Sequence, residues 1–110
     1  MQIVDYTTIG GKNLIEEYLD ALPKKESLKG YQIREKIIDE GLIALESLDT
    51  RQLKGKLWEI KFFANRIMYV LKDDEVIYFL HACQKQKNKA EKFELEKAIK
   101  RAKEFGLKVD

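Results

Sequence analysis

Hydrophobic residues along the chain change their spacing twice. An apolar-rich run from Gln2 to Thr7 stops at Gly10-Gly11, which predicts a short strand and a turn. Leu14, Ile15, Tyr18, Leu19 and Leu22 then recur at the spacing of one helical face. Pro23 ends that helix or bends it into the next. Ile33, Ile37, Ile38, Leu42, Leu45 and Leu48 predict a second amphipathic helix from near Leu28 or Tyr31 to about Leu48. From Leu57 the pattern alternates, and three strands rich in β-branched and aromatic residues are expected: Leu57–Phe63, Arg66–Lys72 and Glu75–Cys83. Ala64-Asn65 and Asp73-Asp74 between them are short enough for hairpin turns. A last helix is predicted from Asn88, with Asn88 and Glu91 spaced as a capping box, to Phe105, with Gly106 as its C-terminal cap. The order strand, two helices, three-stranded antiparallel meander, helix is an α+β layer fold in a single domain spanning residues 1–110.

Composition narrows the class. A chain of 110 residues with 45% hydrophobic and 36% charged content is an ordinary one-domain globular protein. No apolar stretch is long enough to span a membrane. Residues 1–12 lack the charged start and apolar centre of a signal peptide, so a cytoplasmic location is expected. Cys83 is the only cysteine, which excludes an intrachain disulfide, and no Cys/His cluster is apparent from the spacing, so neither a metal nor a cofactor is expected. The net charge of +2 hides an asymmetry. Residues 1–50 carry 6 Lys/Arg against 10 Asp/Glu, net −4, while residues 51–110 carry 15 against 9, net +6. The C-terminal half can therefore present a basic surface to a polyanion or an acidic partner, or it can simply be a solvated, lysine-rich face.

Two-residue turns at Ala64-Asn65 and Asp73-Asp74 would fix which side chains share a face. Arg66 would oppose His81, Met68 would oppose Phe79, and Lys61 would oppose Met68. One face would hold Trp58, Ile60, Phe62, Ile67, Tyr69, Leu71, Val76, Tyr78, Leu80 and Ala82 and pack on the helices. The other would be open, gathering Glu59, Lys61, Arg66 and His81 beside Phe63, Met68, Val70, Ile77, Phe79 and Cys83. An error of one residue at either turn would flip a whole strand.

The same residues carry a family resemblance. The run Leu53-Lys54-Gly55-Lys56-Leu57-Trp58-Glu59-Ile60-Lys61, followed by Asn65-Arg66-Ile67-Met68-Tyr69, resembles the corresponding stretch of phage-related HigB toxins in the RelE superfamily. Phe79-Leu80-His81-Ala82-Cys83-Gln84-Lys85-Gln86-Lys87 is similar to the segment that follows it there. The likeness spans roughly Leu53 to Phe105, and the earlier helices agree only in kind. It implies a RelE-like fold and the toxin of a toxin–antitoxin pair, a ribosome-dependent messenger-RNA endonuclease held in check by a helix-turn-helix antitoxin. The implied partners are that antitoxin, the ribosome and messenger RNA, with DNA reached only through the antitoxin complex. Position for position, Lys61 falls on the basic residue ending the first stretch and Arg66 on the arginine opening the next strand. Lys85 and Lys87 fall on the basic positions after the last strand. Lys61 stands where an arginine is common, Gln84 interrupts a lysine pair, and a tyrosine some relatives carry near the last helix is not evident.

RNA brings its own nucleophile, the ribose 2′-OH, so the protein must align it, neutralise the transition-state phosphate and move two protons. Arg66 suits the phosphate, because a guanidinium grips two oxygens in one plane; its plain alternative is an ion pair with Glu59. Lys61 is a second charge, or a base if its pKa is lowered, and otherwise solvated. His81, the sole histidine, is a candidate acid or base, or a strand residue packed beside Phe79. Lys85 completes the candidate catalytic set, and Lys54, Lys56, Lys87 and Lys89 are candidate RNA-binding residues. Cys83, Trp58 and Tyr69 read as packing residues. Two other functions fit the same pattern: a toxin of this fold that blocks DNA gyrase by binding, and a non-catalytic RNA-binding module.

Overall fold

The computed structural model describes residues 1–85, 87 and 89–110, the side chains of Lys89 and Ala90 excepted. The elements are β1 (Gln2–Asp5), α1 (Leu14–Asp20), α2 (Lys24–Glu40), α3 (Leu42–Glu46), β2 (Thr50–Lys54), β3 (Leu57–Phe62), β4 (Asn65–Leu71), β5 (Val76–Gln84) and α4 (Lys89–Glu104). They form the expected α+β arrangement, an N-terminal strand and helices, a sheet and a C-terminal helix, consistent with a RelE-like fold. The sheet has five strands in the order β1-β5-β4-β3-β2, comprising the expected meander, the N-terminal strand and β2, which was not expected. β1 joins parallel to β5, while the remaining neighbours are antiparallel. β2 reads as a loop in the sequence because, as an edge strand, it carries one apolar side chain, Leu53, among polar ones.

Asn13 caps α1, its Oδ1 accepting from the amides of Ile15 (3.0 Å) and Glu16 (2.9 Å). α2 begins directly after Pro23, earlier than the apolar spacing suggests, because a proline preorganises the helix entry. The long helix expected to reach Leu48 is broken at Gly41, whose φ of 72° no side chain tolerates well and where α3 starts afresh. α1, α2 and α3 cover one side of the sheet. Ile15, Leu19, Ile33, Ile37 and Ala44 meet Ile60, Phe62, Ile67, Tyr69, Ile77 and Phe79 in one core.

The other side is not open. α4 lies on it, and Leu57, Met68, Val70, Leu80 and Cys83 meet Ala98 and Ala102 in a second core, with Leu95, Ile99 and Phe105 at its margin. Alanine at positions 98 and 102 lets the helix backbone approach the sheet closely. Gly106 (φ 74°) ends α4 as expected, with the amide of Leu107 donating to the carbonyl of Ala102. The tail then returns across the β2–β3 turn. The amide of Lys56 donates to the carbonyl of Val109, and a Cβ at Gly55 would strike that carbonyl. Asn88, the proposed cap of α4, lies outside the described residues.

The register departs from expectation in two compensating ways. The β4–β5 connection is a three-residue loop, in which the Asp73 carboxylate accepts from the amides of Glu75 and Val76 and Lys72 pairs with Val76. This one-residue shift puts Ile77 and Phe79 on the α1–α3 side, and Val76 and Tyr78 on the α4 side, the reverse of the expected faces. A β-bulge then inserts Leu80, so that Tyr69 pairs with Phe79 but Met68 pairs with His81. The bulge restores the expected face for His81 and Cys83, and Arg66 pairs with Cys83 rather than His81. Between β3 and β4 the turn is Phe63-Ala64, with Phe63 at φ 53°, so the register moves by two residues and every face is kept. Lys61 consequently opposes Arg66, not Met68.

Candidate functional site

The polar residues expected on an open sheet face are enclosed, because α4 roofs them. Glu59 is 0% and Arg66 2% exposed. They stand on neighbouring strands, and Arg66 Nε lies 2.7 Å from Glu59 Oε1, out of line for a hydrogen bond. The other carboxylate oxygen, Oε2, accepts from Arg51 Nε at 2.9 Å across the β2–β3 pairing that sets Arg51 opposite Glu59. Glu91, in the first turn of α4, completes the group. Its Oε1 lies 3.2 Å from Arg66 Nη2 and 3.4 Å from Arg51 Nη2. Arg66 Nη1 is buried without a hydrogen-bond partner among the described residues. These groups border a cleft of about 470 Å³ between β2 and α4, lined by Arg51, Gln52, Leu53, Arg66, Glu91, Lys92 and Leu95. The plain alternative for Arg66, an ion pair with Glu59, is therefore present, and it sits at the wall of a cleft carrying two further cations.

His81 is on the other flank of α4. It borders a separate cleft with Leu14, Glu17, Tyr18, Ala21, Ala82 and Arg101. The expected convergence of Arg66 and His81 on one open site is thus corrected: the bulge at Leu80 and the overlying helix put them on different sides of α4. His81 Nε2 is hydrogen-bonded to Glu94, and Arg101 Nη1 approaches Nδ1 at 3.0 Å while also donating to the Leu80 carbonyl at 3.1 Å. A guanidinium can only donate, so Nδ1 accepts and the ring proton resides on Nε2. Burial holds the His81 pKa below its ordinary value, with Arg101 and Lys97 pushing the same way and Glu94 opposing them. Burial would raise the Glu94 pKa, but the His81 ring, the Cys83 thiol and Lys97 bring it below the usual carboxylate value. Burial, reinforced by Glu94, pushes the Cys83 thiol up to about 12, which leaves it an inert packing group.

His81, Cys83 and Glu94 place one donor atom each within 4.8 Å of one another, a nitrogen–sulfur–oxygen set that zinc accepts. The expectation that no Cys/His cluster exists is corrected accordingly. Its third member comes from α4 and has no recognisable spacing from the other two. Arg101 argues against a resident ion, since a metal on Nε2 would drive the ring proton onto Nδ1 and against the guanidinium. The arrangement is a hydrogen-bonded network that ties β5 to α4.

The remaining candidates divide between the ends of the sheet. Lys61 is half-buried beside Arg66 across the strand pair and lines a third cleft with Lys29, Asp49 and Phe63. Lys85 and Lys87 are exposed just beyond β5, and the amide of Lys85 donates to the Ala64 carbonyl at 2.8 Å, at the same end. Lys54 and Lys56 are exposed at the β2–β3 turn, five residues down the strand from Lys61 and so about 16 Å away. They are not part of the cleft. The side chain of Lys89 lies outside the described residues. Trp58 is on the expected face but 36% exposed, at the wall of a cleft it shares with Leu42, Leu45 and Glu46 of α3. Sequence reasoning missed Arg51, Glu91, Glu94 and Arg101. The signal for Arg51 was available: Leu53 and Leu57 flank a Lys-Gly-Lys turn, and extending that hairpin pairs Arg51 with Glu59.

A family model for a phage-derived Gp49-like protein (DUF891) matches residues 17–103. No curated protein matches the chain at a significant level.

Proposed function

Since the chain belongs to the phage-derived Gp49-like family, a RelE-type, toxin-like family, we propose that it is the toxin of a toxin–antitoxin pair and cleaves messenger RNA on the ribosome. The observation that carries this reading is the Arg66 guanidinium at the wall of a 470 Å³ cleft, with Arg51 and Lys92 around it and Lys61 beside it across the strand pair. The cleft suits a phosphodiester, because planar guanidinium groups grip paired phosphate oxygens and their charge counts for more where water is excluded. The ribose 2′-OH attacks the adjacent phosphorus, and the 5′-oxygen of the next nucleotide leaves. Arg66 and Arg51 hold the extra negative charge of the five-coordinate phosphorus. Lys61 and Lys85 are the candidates for moving protons at this end of the sheet. His81, with both ring nitrogens engaged on the other flank of α4, positions that helix instead. Exposed Lys87 extends the positive rim towards the RNA backbone or ribosomal RNA.

The partners of this reading are a helix-turn-helix antitoxin, the ribosome and messenger RNA, met in the cytoplasm. Among the described residues no helix is long and apolar enough to cross a membrane. The test is cleavage of messenger RNA on programmed ribosomes followed by analysis of the product ends. Attack by the 2′-OH leaves a 2′,3′-cyclic phosphate or 3′-phosphate and a 5′-hydroxyl. Ends bearing a 5′-phosphate would overturn the mechanism. Growth arrest with intact transcripts and blocked DNA supercoiling would overturn the activity in favour of gyrase inhibition.

A further inference from the structure

Glu91 differs from the other members of the Arg66 cluster. Glu59 and Arg66 leave the middle strands with almost no exposure, and Arg51 is held on its edge strand by Glu59. The Glu91 side chain is 38% exposed, stands in the first turn of α4, and directs one oxygen at both guanidinium groups. A single anionic oxygen shared by two guanidinium edges is the contact a non-bridging phosphate oxygen makes. We propose that the Glu91 carboxylate is an internal stand-in for the RNA phosphate: Arg51 and Arg66 form a phosphate seat, and the substrate occupies it by displacing Glu91.

Charge and hydrogen bonding both favour the exchange. Arg51 and Arg66 face Glu59 and one further negative charge, and a phosphodiester carries the same single charge as the carboxylate it replaces. The seat is then balanced in either state, whereas an empty one would leave a cation without a partner beside buried Glu59. Glu91 leaves Arg66 Nη1 unsatisfied among the described residues, and a phosphate has a second non-bridging oxygen to offer it. Lys92, exposed at the cleft, neighbours the same space. The exchange needs only the Glu91 side chain, 38% exposed, to swing aside, since α4 is anchored further along through Ala98, Ala102 and the tail on Lys56.

The inference rests on the nuclease reading for the identity of the anion, and the two fail separately. The full chain is titrated, without ribosomes, into a labelled 2′-O-methyl oligoribonucleotide, which binds but lacks the attacking hydroxyl. Glu91→Gln should tighten binding roughly threefold to tenfold, the worth of two ion pairs on a partly exposed carboxylate given up. Glu96→Gln, which removes the same charge from an exposed site on α4, should change little. Arg51→Ala added to Glu91→Gln should erase the gain. Thermal melting shows whether each variant is folded, and Glu91→Ala repeats the test with the carboxylate removed outright. Equal effects of the Glu91 and Glu96 substitutions, or a gain that survives loss of Arg51, would overturn the seat. If wild type cleaves on ribosomes while Glu91→Gln binds no tighter, the seat falls and the nuclease stands. If Glu91→Gln binds tighter while wild type leaves transcripts intact, the nuclease falls and the seat stands.

Discussion

Both faces of the sheet are buried, but they are held down by different chemistry. Under α1, α2 and α3 the contact is a continuous apolar layer, and its enclosed ion pair, Arg34 with Asp5, is bidentate at 2.8 Å on both nitrogens. Under α4 the apolar contact is narrower and flanked on either side by charge, with Glu59, Arg66, Arg51 and Glu91 along one flank and His81, Glu94 and Arg101 along the other. Both terminal nitrogens of Arg34 are paired, whereas Arg66 keeps two buried nitrogens, Nε and Nη1, without a hydrogen bond among the described residues. A buried ion pair contributes little net stability once desolvation is counted, so an incompletely satisfied one is a poor way to hold a helix down. The contrast points to the α4 side as the place where the fold gives up stability for chemistry.

The two faces should respond differently to truncation at Arg66 and at Ile60. Arg66→Ala should destabilise the protein by about 3 kcal/mol, because it leaves buried Glu59 with Arg51 alone among the described cations. Ile60→Ala, on the opposite face, should cost about 2–5 kcal/mol through a cavity. The two losses should differ in whether a second change repairs them. Arg66→Met combined with Glu59→Leu removes both charges and should recover most of the stability, whereas no partner substitution restores Ile60. Urea denaturation of the single and double variants measures this. A double variant no more stable than Arg66→Ala would mean that the pair holds the fold in its own right. A smaller effect is expected at Ala98: Ala98→Leu should cost about 1–3 kcal/mol by forcing α4 off the sheet. It should also let solvent reach Glu59 and Arg66, which hydrogen exchange along β3 and β4 would register while the α1–α3 side stays protected.

The α1–α3 face was legible in the sequence, Ile77 and Phe79 of β5 excepted, because apolar spacing reports directly on a buried layer. Ile15, Leu19, Ile33 and Ile37 on the helices, and Ile60, Ile67 and Tyr69 on the strands, are where that spacing puts them. The α4 face was not legible, for two physical reasons. Register depends on loop length and bulges, and nothing in the residues around Asp73 or Leu80 announces a three-residue turn or an inserted residue. Burial of a charged residue depends on what covers it, and the polar positions of β3 to β5 alternate as solvated ones would. Lys61, Arg66 and Lys85 were singled out through their positions in the family resemblance, and they lie towards one end of the sheet. Arg51, Glu91, Glu94 and Arg101 were missed because they reach the same floor from an edge strand and from a helix whose own pattern looks merely soluble.

The gentlest difference between the faces is their response to pH. Burial holds Tyr69, under α1–α3, at a pKa of about 12, so it stays neutral throughout the physiological range. His81, under α4, has its native pKa lowered from 6.5 by burial, with Arg101 and Lys97 adding to the effect and Glu94 and the Cys83 thiol beside it. In the unfolded chain the ring takes up its proton near pH 6.5, while in the native protein it resists until a lower pH. Between those values the unfolded state binds more protons, so the stabilisation is complete above the unfolded pKa and is lost as pH falls towards the native one. The slope cannot exceed about 1.4 kcal/mol per pH unit for one group. Glu94, its pKa also lowered, adds a second loss only below the ordinary carboxylate value of 4.5. His81→Gln can still donate to Glu94 and accept from Arg101 through its amide, but it does not titrate. Urea midpoints measured from pH 7.5 to 5.5 should therefore fall for wild type and remain nearly flat for His81→Gln. Parallel curves would mean that His81 titrates alike in the native and unfolded chains, and that burial does not lower its native pKa.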